Sequence, residues 1–178
     1  MKYSETIATS ALGEYRFNLN SIFDPNRSGV GHQPYGHDTL QTLYNRYRVI
    51  SCGYRIQAVQ TATGAPIQLA CQPANEQLTY TTISEMKENP RTKYVTVSPG
   101  APAVYLSGKV YLPSLVGRTR AQYMADDRYQ AEYGASPVEN AILNIKSQTI
   151  ADVDSSFTCN VMLEYTVESF DIKHLGQS

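Results

Sequence analysis

Apolar and polar residues alternate along much of the chain, which is the pattern of half-buried β-strands. The alternation is clearest near the C-terminus, where every second residue from Phe157 to Val167 is apolar. Tyr15, Phe17 and Leu19 repeat it near the N-terminus, with polar residues between them. The chain is therefore predicted to consist mainly of strands.

Turn-forming residues divide this pattern into about eight strands. They are predicted at residues 4–11, 15–20, 46–62, 67–71, 93–98, 104–112, 143–150 and 157–168. Thr82 and Glu85 have the spacing of a capping box and predict one short helix, which ends by Asn89 because Pro90 follows. Two packed antiparallel sheets bury such strands most simply, so the pattern predicts an all-β sandwich with short helices in its loops.

The composition agrees with this class and adds one feature. The chain has 178 residues, the length of one domain, with a formal net charge of −1, 14 tyrosines and no tryptophan. Charged residues make up only 17% of it, against about 25% in typical soluble domains. Interface cores are poor in charge and rich in tyrosine and arginine, so a surface largely covered by partners is one interpretation. A tyrosine-rich secreted β-domain fits the same composition equally well.

The sequence carries no motif of catalysis or cofactor binding. It has no Gly-x-Ser-x-Gly elbow and no Gly-Lys-Ser/Thr phosphate loop. His32 and His37 lack the spacing of metal ligands, and the 3 cysteines lie at wide intervals. We therefore expect no enzyme activity, no cofactor and no metal site. No run approaches the ~18 apolar residues that span a membrane, and the N-terminus does not resemble a signal peptide, so we expect neither export nor membrane insertion.

Two acidic pairs have the oxygen ligands that a hard cation such as Ca²⁺ requires. They are Asp126 with Asp127, and Asp152 with Asp154. Neither pair completes an EF-hand loop, and solvated turn residues are the interpretation we favour.

A long loop follows the second predicted strand and carries the most specific motifs of the chain. The motifs are NSIFDPN at Asn20–Asn26, SGVGHQP at Ser28–Pro34, then Gly36, Asp38 and YNRYRV at Tyr44–Val49. In these motifs the chain resembles the coat proteins of circovirus-like viruses with small circular single-stranded DNA genomes (CRESS-DNA viruses). The close match covers residues 15–56.

The resemblance implies that residues 1–178 form a single jelly-roll capsid domain. It further implies self-assembly, most often of sixty copies, into an icosahedral shell around a circular single-stranded DNA genome. The protein would then belong to the virion and assemble inside the host cell, with the nucleus as a candidate place. The alternative is a jelly-roll carbohydrate- or ligand-binding module, whose loops would read sugars with Tyr, Asn and Asp.

Basic residues are sparse for a genome-binding protein. Coat proteins of this family usually begin with a long arginine-rich arm, and here no arginine precedes Arg16. Because the net charge is −1, we expect binding of nucleic acid to be weak. The best candidates for a nucleic-acid contact are Arg46, Arg48 and Arg55, since arginine beside tyrosine can hold phosphate while rings stack on bases.

Two long segments between strands are predicted to contact neighbouring subunits. They are the loop 24–38 and the excursion 114–134, which departs from the strand pattern. Long excursions in compact domains are usually functional, and tyrosine is enriched at binding hot spots. The candidate interface residues are therefore Tyr35, Tyr123, Tyr129 and Tyr133.

Overall fold

A computed structural model describes residues 1–10, 13–29, 31–61, 63–151 and 155–174, with side chains for all of them except 8–10. The strands are β1 (Lys2–Ser10), β2 (Gly13–Asn18), β3 (Tyr44–Gln60), β4 (Ile67–Ala74), β5 (Lys93–Val97), β6 (Val104–Tyr111), β7 (Gln130–Glu132), β8 (Ile142–Thr149) and β9 (Ser156–Ile172). The helices are α1 (His37–Leu43), α2 (Ile83–Lys87), α3 (Leu112–Leu115) and α4 (Arg120–Ala125), and a 3₁₀ turn follows at Asp127–Tyr129.

The strands form two antiparallel sheets. The first has the order β1-β9-β3-β6, with the short β7 beside β3, and the second has the order β2-β8-β4-β5. Successive strands thus lie in different sheets except at β4 to β5 and at β6 to β7, and the first and last main strands are neighbours. This order is that of a jelly roll, so the predicted fold class is confirmed.

The core lies between the two sheets, where the predicted apolar faces meet. From the first sheet, Tyr54, Ile56 and Leu163 are buried, and from the second, Phe17 and Leu69 are buried. Each such side chain contributes roughly 1.5–3 kcal/mol when fully removed from water. The alternation predicted in the last strand is confirmed, since Phe157, Cys159, Val161, Leu163 and Tyr165 are all buried.

The long strand β3 contains a β-bulge that its sequence pattern does not reveal. Its pairing with β9 shifts register between Val49 and Ser51, so Ile50 has no partner there. Before the bulge Tyr47 and Val49 are buried, and after it Cys52 and Tyr54 are buried. Because a bulge adds one residue to one strand, it exchanges the two faces of the sequence pattern. Residues with even numbers before the bulge therefore share a face with residues with odd numbers after it.

Segment 112–141, which joins β6 to β8, packs against the first sheet inside the same subunit. The hydroxyl of Tyr123 in α4 donates to the carbonyl oxygen of Val49 at 2.9 Å, and its ring stacks on Tyr129 with 4.6 Å between centroids. The hydroxyl of Tyr47 donates to the carbonyl oxygen of Ala135 at 2.8 Å. Much of the predicted excursion 114–134 therefore packs against the first sheet of its own subunit.

Candidate functional site: the open face of the first sheet

The outer faces of the two sheets differ in what covers them. Residues 75–92, which we call the covering segment, cross the outer face of the second sheet. Three outward side chains of β8 hold it: Asn144 accepts from the Leu78 amide at 3.1 Å, Lys146 donates to the Tyr80 carbonyl at 2.6 Å, and Gln148 accepts from the Ile83 amide at 2.8 Å. The covering segment therefore hides these outward side chains of β8, whereas β5 at the edge of the second sheet keeps Lys93, Tyr94 and Thr96 exposed.

A small ion-pair cluster reinforces this attachment. The carboxylate of Glu14 lies 3.2 Å from the Lys146 ammonium and 2.5 Å from the Arg16 guanidinium. Arg16 also donates to the carbonyl oxygen of Leu78 in the covering segment at 3.3 Å. Burial alone raises the pKa of Glu14, but the hydrogen bond and charge of Lys146, with the charge of Arg16, outweigh it and lower the pKa below its usual value.

Acidification should loosen the covering segment through Glu14. A carboxyl group whose pKa is lowered by folding stabilises the native state above its unfolded pKa of about 4.3, and the stabilisation is lost as the pH falls through the lower folded pKa. Glu14→Gln should therefore cost about 1 kcal/mol at pH 7 and flatten the pH dependence of unfolding below pH ~4.5. Urea unfolding from pH 3 to pH 7 measures this. Glu76→Gln, at an exposed site in the covering segment, is the control, and equal pH profiles for Glu14→Gln and wild type would contradict the prediction.

The outer face of the first sheet is exposed around Gly53 and is buried at Arg48, where Gln130 of segment 112–141 contacts it. We call the exposed part the open face; it comprises outward residues of β1, β9, β3 and β6. One row across the four strands consists of Lys2, Glu164, Gly53 and Lys109, each the register partner of the next. The adjacent row consists of Ser4, Met162, Arg55 and Ser107. Apart from the half-buried Gly53, the side chains of these two rows are exposed.

A hollow lies in the middle of the open face, because Gly53 has no side chain. Its volume is about 590 Å³, and the side chains around it include Lys2, Arg55, Lys109, Met162 and Glu164. Three of these carry positive charge and one carries negative charge. The floor of the hollow is formed by the strands at Tyr3, Tyr54 and Leu163, whose side chains are buried in the core.

An aromatic ring lies beside the hollow. The guanidinium of Arg55 sits over the ring of Tyr105 in β6, 4.5 Å from its centroid. Tyr105 is 48% exposed, so part of its ring remains accessible. The open face thus combines cations, an exposed aromatic side chain and a concave surface, which are the components that single-stranded nucleic acids bind.

The structure separates the three arginines predicted to contact nucleic acid. The bulge in β3 places Arg46, Arg48 and Arg55 on the outer face of the sheet, where the alternation alone would have put Arg55 opposite the other two. Arg55 borders the hollow, whereas Arg46 is exposed nine residues away, roughly 30 Å along the strand. The two side chains therefore do not form one site.

The prediction for Arg48 needs correction. Its side chain is only 5% exposed, and its guanidinium donates to the Gln130 side-chain oxygen at 3.1 Å. It also lies over the ring of Phe170, 5.5 Å from the centroid. Arg48 is therefore buried against Gln130 and Phe170 of its own subunit, and little of its side chain is accessible to a phosphate, although its Nε has no hydrogen-bond partner among the described residues.

The prediction of interface tyrosines is corrected at three of its four positions. Tyr123, Tyr129 and Tyr133 are at most 8% exposed. The Tyr133 hydroxyl is within 2.7 Å of the Ser169 hydroxyl, so this ring also serves the core of its own subunit. These side chains therefore pack inside their own subunit, and little of their surface is accessible to a neighbour. Tyr35 is 97% exposed and remains a candidate for contact with a neighbouring subunit.

The acidic pair Asp126–Asp127 is engaged within its own turn. Asp126 accepts a bidentate contact from Arg128, whose hydrogen bonds lower the pKa of Asp126 to about 2, and Asp127 accepts from the Gln130 amide at 2.6 Å. The second pair, Asp152 with Asp154, lies outside the described residues. Among the residues that are described, no three His, Cys, Asp or Glu side chains are grouped so as to hold a metal ion. None of the helices described is long and apolar enough to cross a membrane.

The chain matches no protein-family model and no curated protein. Many solved structures are similar to it, among them the following three. A chain from Desmodium yellow mottle tymovirus is 10% identical with a TM-score of 0.45, covering 100% of this chain and 90% of that one. A Nora virus chain is 18% identical with a TM-score of 0.46, covering 99% of this chain and 64% of that one. The third is a deletion mutant of the Penaeus vannamei nodavirus capsid protein in a T=1 subviral particle, 11% identical with a TM-score of 0.48, covering 97% and 98%. A likeness this distant does not determine function, and the jelly-roll assignment rests on the strand order of this chain.

Proposed function

We propose that this chain is the structural subunit of a viral capsid, with residues 1–178 acting as one jelly-roll capsid domain. In this proposal about sixty copies close into an icosahedral shell around a circular single-stranded DNA genome. The observation that carries it is the strand order of the two sheets, because it is the architecture that the coat-protein resemblance of residues 15–56 implies. That resembling region includes most of β2, the whole of α1 and most of β3.

The loop after β2 supports a role in contacts between subunits. Its first part is fixed to the body: Asn18 donates its amide to the Pro25 carbonyl at 2.8 Å, and the Asn26 side chain donates to the Glu5 carboxylate at 2.8 Å. The tip of the loop then presents the ring of Tyr35 almost fully to solvent. An exposed tyrosine on a fixed loop loses little freedom on binding, which favours it as an interface hot spot.

The turn that carries Tyr35 is itself defined by its neighbours. The His37 amide donates to the Pro34 carbonyl oxygen at 3.1 Å, which closes the turn around Tyr35. Gly36 has φ +87, a left-handed conformation that favours glycine. His37 is buried behind the turn, and its ring lies 5.4 Å from that of Tyr133. The turn that carries the exposed ring is therefore supported from inside the subunit.

Assembly tests the proposal directly. Sedimentation velocity and electron microscopy of the purified protein should show one large, uniform particle. Tyr35→Ser should raise the protein concentration needed for assembly at least about tenfold without changing the unfolding midpoint of the subunit, because a hot-spot side chain contributes about 2 kcal/mol or more. Tyr94→Ser, at an exposed tyrosine of β5, is the matched control. A protein that stays monomeric across concentration, salt and pH would refute the capsid proposal.

A carbohydrate- or ligand-binding module remains the second candidate, because jelly rolls also occur in lectins. The feature that favours it is a polar groove of about 520 Å³ between β1 and β2, lined by Glu5, Asn26 and Arg27 among others. The Asn26 amide is already bonded to Glu5, however, and Arg27 donates to the side chains of Asn18 and Asn140. A monomer that binds an oligosaccharide in this groove, with binding lost in Arg27→Ala, would favour this alternative.

A further inference from the structure

We infer that the hollow at Gly53 on the open face binds single-stranded nucleic acid, with a base lying flat over Gly53 and phosphates held by Lys2, Arg55 and Lys109. The inference deepens the proposed function, on which it rests for its biological setting, by naming the binding site within the subunit. Three of its residues, Lys2, Gly53 and Lys109, are not among those that the sequence singles out for nucleic-acid contact.

Shape and charge together favour this occupant. A volume of about 590 Å³ lies within the range of roughly 300–1,000 Å³ that is usual for sites of small ligands, so a nucleotide fits. Three cations against the single carboxylate of Glu164 favour a polyanion locally, although the whole chain has a net charge of −1. Glu164 lies 3.8 Å from Lys2, so that carboxylate is partly neutralised already.

The apolar surfaces distinguish a nucleic acid from other polyanions. Met162 borders the hollow and Tyr105 lies next to it under Arg55, so both offer a surface on which a flat base can stack. A duplex cannot use them, because its bases are already stacked on one another. A sulfated polysaccharide could use the cations but has no flat ring for Met162 and Tyr105. A single strand uses all of these groups at once.

Gly53 allows the hollow to be filled without damage to the core. A Cβ atom added there would meet nothing nearer than the Glu164 Cβ at 3.8 Å, an ordinary van der Waals contact. Gly53→Val should therefore fold normally and occupy the space meant for the base. Gln57→Val is the matched control, since Gln57 lies on the same face of β3 and does not line the hollow.

The test is fluorescence anisotropy of a labelled oligothymidylate at low salt, with circular dichroism to verify folding. Gly53→Val should weaken binding about tenfold, the effect of losing one stacked base, while Gln57→Val should not. Lys109→Gln should reduce the slope of log affinity against log salt by about 0.7, the value for one phosphate contact on a single strand. Lys87→Gln, which removes a cation from the covering segment, should leave the slope unchanged.

Three results would overturn the inference: no binding at low salt, equal binding by Gly53→Val and wild type, or an equal loss of heparin binding in Gly53→Val. The last would identify the hollow as a site for acidic polysaccharides. Measurements on unassembled and on assembled protein separate this inference from the capsid proposal. If a protein that never assembles binds the oligonucleotide, only the capsid proposal is refuted. If the protein forms shells but its hollow binds no oligonucleotide, only the inference about the hollow is refuted.

Discussion

Replacing Tyr123 with alanine is expected to destabilise the isolated subunit by about 3–5 kcal/mol, a large part of the stability of a domain of this size. The ring is 1% exposed, and it stacks on Tyr129 with the centroids 4.6 Å apart. Its removal leaves a cavity under β3 and takes away the hydrogen bond to the Val49 carbonyl. Loss of particles in this variant would then result from unfolding, and not from a missing contact between subunits.

Denaturant unfolding of the dissociated subunit measures this effect. Tyr123→Phe keeps the ring and loses only the hydroxyl, so it should cost about 1–2 kcal/mol. Tyr111→Ala is the control, because that tyrosine is 42% exposed and its loss should change stability by less than about 1 kcal/mol. A Tyr123→Ala subunit as stable as wild type would show that the ring does not support the sheet as the geometry indicates.

Gly108→Val is expected to destabilise the subunit by about 2–3 kcal/mol or to prevent folding, because the added side chain has no room. Gly108 in β6 is the register partner of Tyr54, whose ring lies over it. A Cβ atom at Gly108 would be 2.6 Å from the Tyr54 hydroxyl oxygen and 2.7 Å from the adjoining ring carbon. Tyr54 is 5% exposed, so its ring cannot move aside without disturbing the core.

The control for Gly108→Val is Gly53→Val in the neighbouring strand of the same sheet. The two glycines are adjacent in space, but a side chain at Gly53 points to solvent and one at Gly108 points to the core. The same substitution should therefore be tolerated at Gly53 and damaging at Gly108. Equal unfolding midpoints for the two variants would contradict the assignment of faces in β3 and β6.

The fold could be predicted from the sequence wherever the pattern is local. In β2 and β9 one face is apolar over consecutive alternate residues, so the strand and its buried face follow from the sequence alone. The N-cap at Thr82 is equally local, and the Thr82 hydroxyl accepts from the Glu85 amide at 3.2 Å as predicted. The reciprocal bond of the predicted capping box differs, because the Glu85 carboxylate accepts from the amide of Thr81 and not from that of Thr82. Strand β7 is not among the eight predicted strands, because its 3 residues are too few to show any alternation.

The candidate site depends on features that are not local. The bulge in β3 exists only relative to β9, so the single-chain pattern could not place Arg55 on the same face as Arg46. The hollow at Gly53 combines residues of all four main strands of the first sheet. These strands are distant in sequence, so the pattern within any one segment cannot predict which of them pair. Burial of Tyr123 and Arg48 likewise depends on how segment 112–141 returns beneath the sheet. The alternation in β6 was the one local signal of the site, because it predicts that Tyr105 and Lys109 share an outward face.

The covering segment gives the subunit two chemically distinct sides before any neighbour binds. Side chains of β8 that point away from the core hold the segment, and its own Ile83 and Met86 are buried against Ala70 of β4. The exposed residues of 75–92 can therefore change in sequence without altering the packing between the sheets. Such changes would affect one side of the subunit only. In a closed symmetric assembly every copy would display them on the same surface, so a peptide inserted into this segment would appear on either the inside or the outside of the particle, and never on both.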